Sequence, residues 1–76
     1  MQALSDAGAS QLANIVTDKQ REALVLAFQR GYFETPRQVT LSELADELDI
    51  SQQSLSDRIR HGIEAVVEYV LFGASQ

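Results

Sequence analysis

Residues 41 to 63 read LSELADELDISQQSLSDRIRHGI, and the spacing within them decides the fold. Leu41, Leu44, Ala45 and Leu48 recur at helical intervals while Ser42, Glu43, Asp46 and Glu47 fall on the opposite side, which predicts a short amphipathic helix. Thr40 and Glu43 stand three residues apart at its start, the spacing of a capping box in which each side chain takes a backbone amide of the first turn. The helix can run only to about Leu48, because Asp49 and Ile50 break the pattern and Ser51 is a good N-cap for another helix. A turn this tight usually carries Gly in the left-handed backbone region. Asp49 is expected to take that conformation, which Asp tolerates better than most side chains. Beyond the turn, Leu55 and Ile59 resume an apolar face. Ala45 is small where two helices would cross, and Ile50, Leu55 and Ile59 fill the wedge between them and a preceding helix. The segment has the pattern of a helix-turn-helix.

Downstream, no Pro interrupts the helix that Ser51 opens, so it should be the longest, ending near Phe72 and Gly73. Leu55, Ile59, Ile63, Val66 and Val70 trace its inward face, with Gly62 where another backbone can approach closely. Upstream, Thr17 and Gln20 form a further capping box, and Ala23, Leu24, Ala27 and Phe28, with Leu26 alongside, predict a helix from about Asp18 that Gly31 ends. Tyr32 and Phe33 are adjacent aromatics in the following connection, expected to tuck it against the core, and Pro36 keeps Thr35 out of a helical conformation. Residues 1 to 16 mix Ala, Ser and Gly with scattered apolar side chains and read as a linker or a loosely docked arm. The organisation is therefore an arm at 1–16, a domain at 17–72 and a tail at 73–76. With no strand-like alternation and no repeat, the fold class is all-α: a three-helix domain with an extended third helix.

Seventy-six residues leave room for one domain, and Leu, Ile, Val and Phe supply 22 of them, enough for a compact core. The absence of Cys removes disulfides and thiolate chemistry, and a single His cannot assemble a metal cluster. Catalytic and metal sites are not expected, since no Gly-rich phosphate loop and no polar cluster are visible either. No apolar run reaches the length of a membrane span, and MQALSDAGAS lacks the basic start of a signal peptide, so a cytoplasmic chain without membrane contact is expected. The net charge is −5, with a single Lys, and the whole acidic excess lies in residues 39 to 76. Acidic surfaces ordinarily count against binding nucleic acid, because Lys and Arg contacts to phosphate supply most of the non-specific affinity. The scarcity of Lys also suits a protein built for concentrated salt.

TDKQREAL at 17 to 24, GYFETPR at 31 to 37, VTLSELADELDIS at 39 to 51 and QQSLSDRIRHGI at 52 to 63 together resemble the helix-turn-helix domain of the bacterio-opsin activator family of halophilic archaeal transcription regulators. The likeness covers about three quarters of the chain. The helix-turn-helix alone also fits sigma-factor region 4 and response-regulator output domains, so the GYFETPR segment carries the specificity. The resemblance implies sequence-specific binding of double-stranded DNA in transcription control, usually as the C-terminal module of a chain that also bears sensor domains. Sensor domains or another regulator protein are accordingly candidate partners, and no cofactor is implied.

At 100° per residue, with Leu55, Ile59 and Val66 inward, the outer side of the third helix carries Gln53, Asp57, Arg60, His61 and Glu64. Only its first turns can enter a major groove. Gln53 suits adenine, Asp57 can accept from the cytosine amino group, and Arg60 can reach guanine or a phosphate. Ser51, Gln52 and Ser54 stand where amides and hydroxyls grip phosphate, with Arg37 and Arg58 as backbone anchors. His61, alone and exposed, reads as an ordinary solvated residue.

Past Ile63 the third helix is apolar over a wider arc than one core requires. Val66 and Val70 are expected inward, with Val67 and Leu71 extending the stripe and Tyr69 and Phe72 flanking it. A second copy of the chain would cover Val66, Val67, Val70 and Leu71 and give a homodimer matched to a palindromic or repeated site. Alternatively, Leu12, Ile15 and Val16 fold back over the same stripe within one chain. The competing functional reading is a protein-interaction or dimerisation module without autonomous DNA binding.

Overall fold

The computed structural model describes residues 15–73. Three helices follow in order: α1 (Asp18–Gln29), α2 (Leu41–Leu48) and α3 (Gln52–Phe72). The described residues contain no strand, and the protein is an all-α helix-turn-helix. The expected arm up to residue 14 and the tail from residue 74 lie outside the described residues, and Leu12 with them. Of the remainder of that arm, Ile15 is half-buried and Val16 is buried.

Each boundary has a local cause. Thr17 caps α1: its hydroxyl accepts from the Gln20 amide at 3.0 Å, and its own amide donates to the Gln20 side chain at 3.0 Å. Thr40 and Glu43 repeat this at α2, at 3.0 and 2.9 Å. The helix ends are equally alike. At α1, Gly31 takes φ 85°, its amide donates to the Phe28 carbonyl and that of Tyr32 to the Ala27 carbonyl, a Schellman motif. At α2, Asp49 takes φ 58° and ψ 46°, with its amide on the Asp46 carbonyl and that of Ile50 on the Ala45 carbonyl. The two stops share one hydrogen-bond scheme, with Gly in one and Asp in the other. Gly31 also anchors the connecting loop: the Gln38 amide donates to its carbonyl, and a Cβ here would lie 2.6 Å from the Gln38 Cβ.

The helix α3 is the spine, against which α1 and α2 both pack. Ala23 and Ala27 of α1, Leu44 and Ala45 of α2, and Leu55 and Ile59 of α3 form the buried core, with Leu44 and Leu55 its largest sealed side chains. Three of these six residues are alanines, so the helices approach closely. At Gly62 side chains of α1 take the space a Cβ would need: it would lie 2.8 Å from Leu24 Cδ1 and 3.4 Å from the Gln20 Cβ. Tyr32, Val39, Leu41, Leu48 and Ile50 pad the rim. A forked Arg30–Glu47 ion pair ties the end of α1 to α2.

Ile63 and Val70, both expected on the inward face of α3, are exposed, and one apolar side chain of α1 is left uncovered as well. Phe28 is 73% exposed, because it lies 100° round α1 from the buried Ala23–Ala27 line; Leu24, one turn earlier on the same stripe, is covered at Gly62, and Phe28 is not. Exposure rises along α3 from Ile63 at 38% through Val67 at 44% to Val70 at 67%, as the helix outruns its partners. At 1.5 Å per residue α3 is about 31 Å long, against about 18 Å for α1. Of the loop aromatics, Tyr32 packs on the core, while Phe33 stands edge-on to it at 5.3 Å and stays half exposed.

Candidate nucleic-acid interface

The start of α3 is built by Ser51, whose hydroxyl accepts from the Ser54 amide and donates to Ser54 Oγ, both at 3.0 Å. That hydroxyl is therefore committed to the cap, and the Ser54 hydroxyl keeps its own proton for an outside acceptor. The amides of Gln52 and Gln53 lie in the first turn, where no intrahelical acceptor exists. The first turns of α1 and α2 each hold a carboxylate, Asp18 and Glu43, but that of α3 holds none. Its positive dipole end is left without a fixed counter-charge.

Gln53, Asp57 and Arg60 form one connected edge on the outer side of α3. Gln53 Nε2 donates to Asp57 Oδ1 at 3.2 Å, and Arg60 Nη2 donates to the same oxygen at 3.2 Å. All three remain open to solvent, with Asp57 the more recessed: its side chain is 41% exposed against 66% for Arg60. His61 and Glu64 continue this side and are exposed. Sequence reasoning placed the three residues on one face without noting the network, although spacings of four and three residues on a helix are those at which side chains meet.

The two anchor candidates differ. The Arg37 guanidinium lies 4.1 Å over the Tyr32 ring and Nε donates to the Tyr32 carbonyl at 3.0 Å, so its terminal nitrogens are held outward on a fixed base. Its recorded contacts are within the loop rather than with α3. Arg58 is half-buried on the flank of α3. Among the described residues Arg21 pairs with Asp18, Arg30 with Glu47 and Arg60 with Asp57, while Lys19 and Arg58 make no ion pair. Hydrogen bonding to Arg30 holds the Glu47 carboxyl below its ordinary value of 4.5, and the same contact raises Arg30.

A second surface was missed in the sequence. Leu24, Val25, Phe28 and Phe33 on one side and Ile63, Val66 and Val67 on the other line an almost wholly apolar groove between α1 and α3. Val25 and Phe28, large apolar residues pointing away from the alanine line of α1, were the available signal. Among the described residues no cluster of His, Asp and Glu could hold a metal ion, and no helix is long and apolar enough to cross a membrane.

A family model for an HTH DNA binding domain matches residues 16–68. The chain belongs to that family, the bacterio-opsin activator type of helix-turn-helix domain. Over 57 residues it is 44% identical to a dimethyl sulfoxide reductase transcriptional activator of Haloferax volcanii, covering 75% of this chain and 26% of that protein. A dimethyl sulfoxide reductase transcriptional activator of Halobacterium salinarum is 50% identical over 44 residues, 58% of this chain and 20% of that one. The transcriptional regulator NarO of Haloferax volcanii is 32% identical over 56 residues, 74% of this chain and 26% of that one. The chain spans about a quarter of the length of these curated relatives. No solved structure matches it. The helix-turn-helix described above is thus a DNA-binding domain of the kind found in transcription regulators.

Proposed function

We propose that this domain binds double-stranded DNA sequence-specifically by laying the first turns of α3 in the major groove and controls transcription from the bound site. The observation that carries the reading is the solvent-facing Gln53–Asp57–Arg60 edge, raised on a capped helix whose inner face is sealed by Leu55 and Ile59. Gln and Arg are the side chains that pair two-pronged with adenine and guanine. The Gln52 and Gln53 amides, the Ser54 hydroxyl and the carboxylate-free helix start face the phosphates, with Ser51 fixing the cap that aims them. Arg37 on Tyr32 and Arg58 on the flank hold the backbone to either side.

The domain acts as a homodimer through the outer part of α3, where Val66 is half-buried and Val67, Val70 and Leu71 are exposed. Two copies related by a two-fold axis would present two recognition helices to two half-sites. The family model ends at residue 68, within this stripe. In a larger regulator the same stripe would stand beside sensor domains. The names of two relatives make a dimethyl sulfoxide reductase gene one candidate target.

Selection from a pool of randomised duplexes, followed by affinity measurement with the selected site, tests the reading. Gln53→Ala/Arg60→Ala should abolish preference for that site while leaving the mass of the protein in solution unchanged. Full retention of preference would refute groove reading by α3 and favour an interaction module instead.

A further inference from the structure

The recognition edge contains a carboxylate, and its contacts assign it a different task from that of its neighbours. Asp57 Oδ1 accepts from Gln53 on one side and from Arg60 on the other, both at 3.2 Å, and Asp57 is recessed relative to Arg60. A carboxylate directed at DNA would face phosphate charge. One engaged by a guanidinium and an amide is locally neutralised and carries directional information to both partners.

The geometry of the partners follows from their chemistry. Only the NH2 end of an amide can face a carboxylate, so the bond to Asp57 fixes which way the Gln53 amide points and turns Oε1 away. What remains outward is Oε1 with the second N–H, the acceptor and donor pair that complements the N6 and N7 edge of adenine. Arg60 spends one N–H on Asp57 and retains four, including a two-pronged edge that matches O6 and N7 of guanine. Two flexible side chains are thereby held in reading orientation before DNA arrives, which lowers the ordering cost paid on binding.

We propose that Asp57 is a positioning residue that orients Gln53 and Arg60 toward an adenine and a guanine, and that it does not itself read a base. The proposal rests on groove reading by α3, and its test separates the two. The selected duplex and its full set of single-base variants are titrated with wild type, Asp57→Ala, Asp57→Asn, Gln53→Ala/Arg60→Ala and the triple Ala variant, after far-UV circular dichroism has shown each to be folded. Expected for Asp57→Ala is a loss of discrimination of about tenfold at both positions that Gln53 and Arg60 read, the scale of one good base contact. The triple Ala variant should match Gln53→Ala/Arg60→Ala, because Asp57 acts only through those two side chains. Asp57→Asn, which keeps an acceptor oxygen, should recover part of the loss. If Asp57→Ala relaxes preference at a third, separate position, adds to the effect of Gln53→Ala/Arg60→Ala, or changes nothing, the positioning role is overturned while groove reading stands. If wild type binds every duplex equally, groove reading itself has failed.

Discussion

Asp49 allows the turn of the helix-turn-helix to be tested by its backbone. It sits at φ 58° and ψ 46°, exposed, with its amide on the Asp46 carbonyl and the next amide on the Ala45 carbonyl. An L-residue in this region costs about 1–2 kcal/mol, with Asp near the lower end. Replacement by Gly removes that cost but returns about 0.4–1 kcal/mol through the greater freedom of Gly in the unfolded chain. It also removes a carboxylate from the negative end of α2, a gain of about 0.3–1 kcal/mol at low salt. The balance is a stabilisation of about 1 kcal/mol, which in a domain of this size moves Tm by about 4–8 °C. Asp49→Gly should therefore melt higher than wild type by far-UV circular dichroism, and the margin should narrow in concentrated KCl as the dipole share is screened. Asp49→Asn isolates that share, since Asn tolerates the left-handed region and carries no charge. Asp49→Val should melt lower than wild type, because a β-branched side chain fits this conformation worst. A Gly variant below wild type, or a Val variant equal to it, would refute the assignment of a left-handed turn.

Other perturbations probe the core, the strap, the overhang and the charge. Leu55→Ala, at a fully buried position, should cost about 3–5 kcal/mol; against a total of about 4–11 kcal/mol for a domain of this size, that loss should appear in urea melts as a strongly lowered midpoint. Because Glu47 is held below its ordinary value of 4.5, the Arg30–Glu47 pair stabilises above that value and fades as pH falls through the lowered one. Arg30, raised, keeps its charge through this whole range. The difference in urea midpoint between wild type and Glu47→Gln should accordingly be present at neutral pH, shrink in high salt and close in acid; a difference constant with pH would exclude the strap as its source. Val67→Glu/Leu71→Glu should sediment as a stable monomer, and an unchanged mass would exclude the outer part of α3 as the dimer contact. With two or three phosphate contacts, DNA affinity should fall only about tenfold between 1 and 3 M KCl. A drop of several thousandfold would indicate a conventional basic interface.

The local signals were legible in the sequence because they act over a few residues. Thr17 with Gln20, Thr40 with Glu43, and Ser51 start the helices where their side chains meet the amides of the first turn, and Gly31 and Asp49 stop two of them with the backbone each was expected to adopt. Gly62 was legible too, as a small residue inside an apolar stripe. Ile63 and Val70 were misplaced for one reason: periodicity gives the direction a side chain takes from its own helix and says nothing of how far the neighbouring helix extends. Ala23 and Ala27, being small, draw α1 close to α3 along one line and leave Phe28 outside it. On the recognition side the sequence placed Gln53, Asp57 and Arg60 together but gave each a separate contact, with adenine, with cytosine, and with guanine or a phosphate. The shared oxygen on Asp57 emerges only when rotamers are known.

The acidic composition and the DNA-binding domain are reconciled by where the few cations go. Arg21, Arg30 and Arg60 are engaged by carboxylates, and Arg37 lies on an aromatic ring. Such a surface steers poorly toward phosphate, and at about 1 M salt, where the Debye length is roughly 3 Å, steering would be lost in any case. What survives screening is contact at hydrogen-bond distance, which depends on orientation more than on net charge. Under those conditions a carboxylate in the recognition edge adds little repulsion, while its two hydrogen bonds keep the adjacent Gln and Arg aligned. In dilute salt the balance reverses, since the same carboxylate and the acidic second half of the chain would repel the duplex over several nanometres of approach. In strong salt an acidic reader of this design would gain specificity, because screening removes the non-specific phosphate attraction of basic competitors and leaves oriented contacts in place.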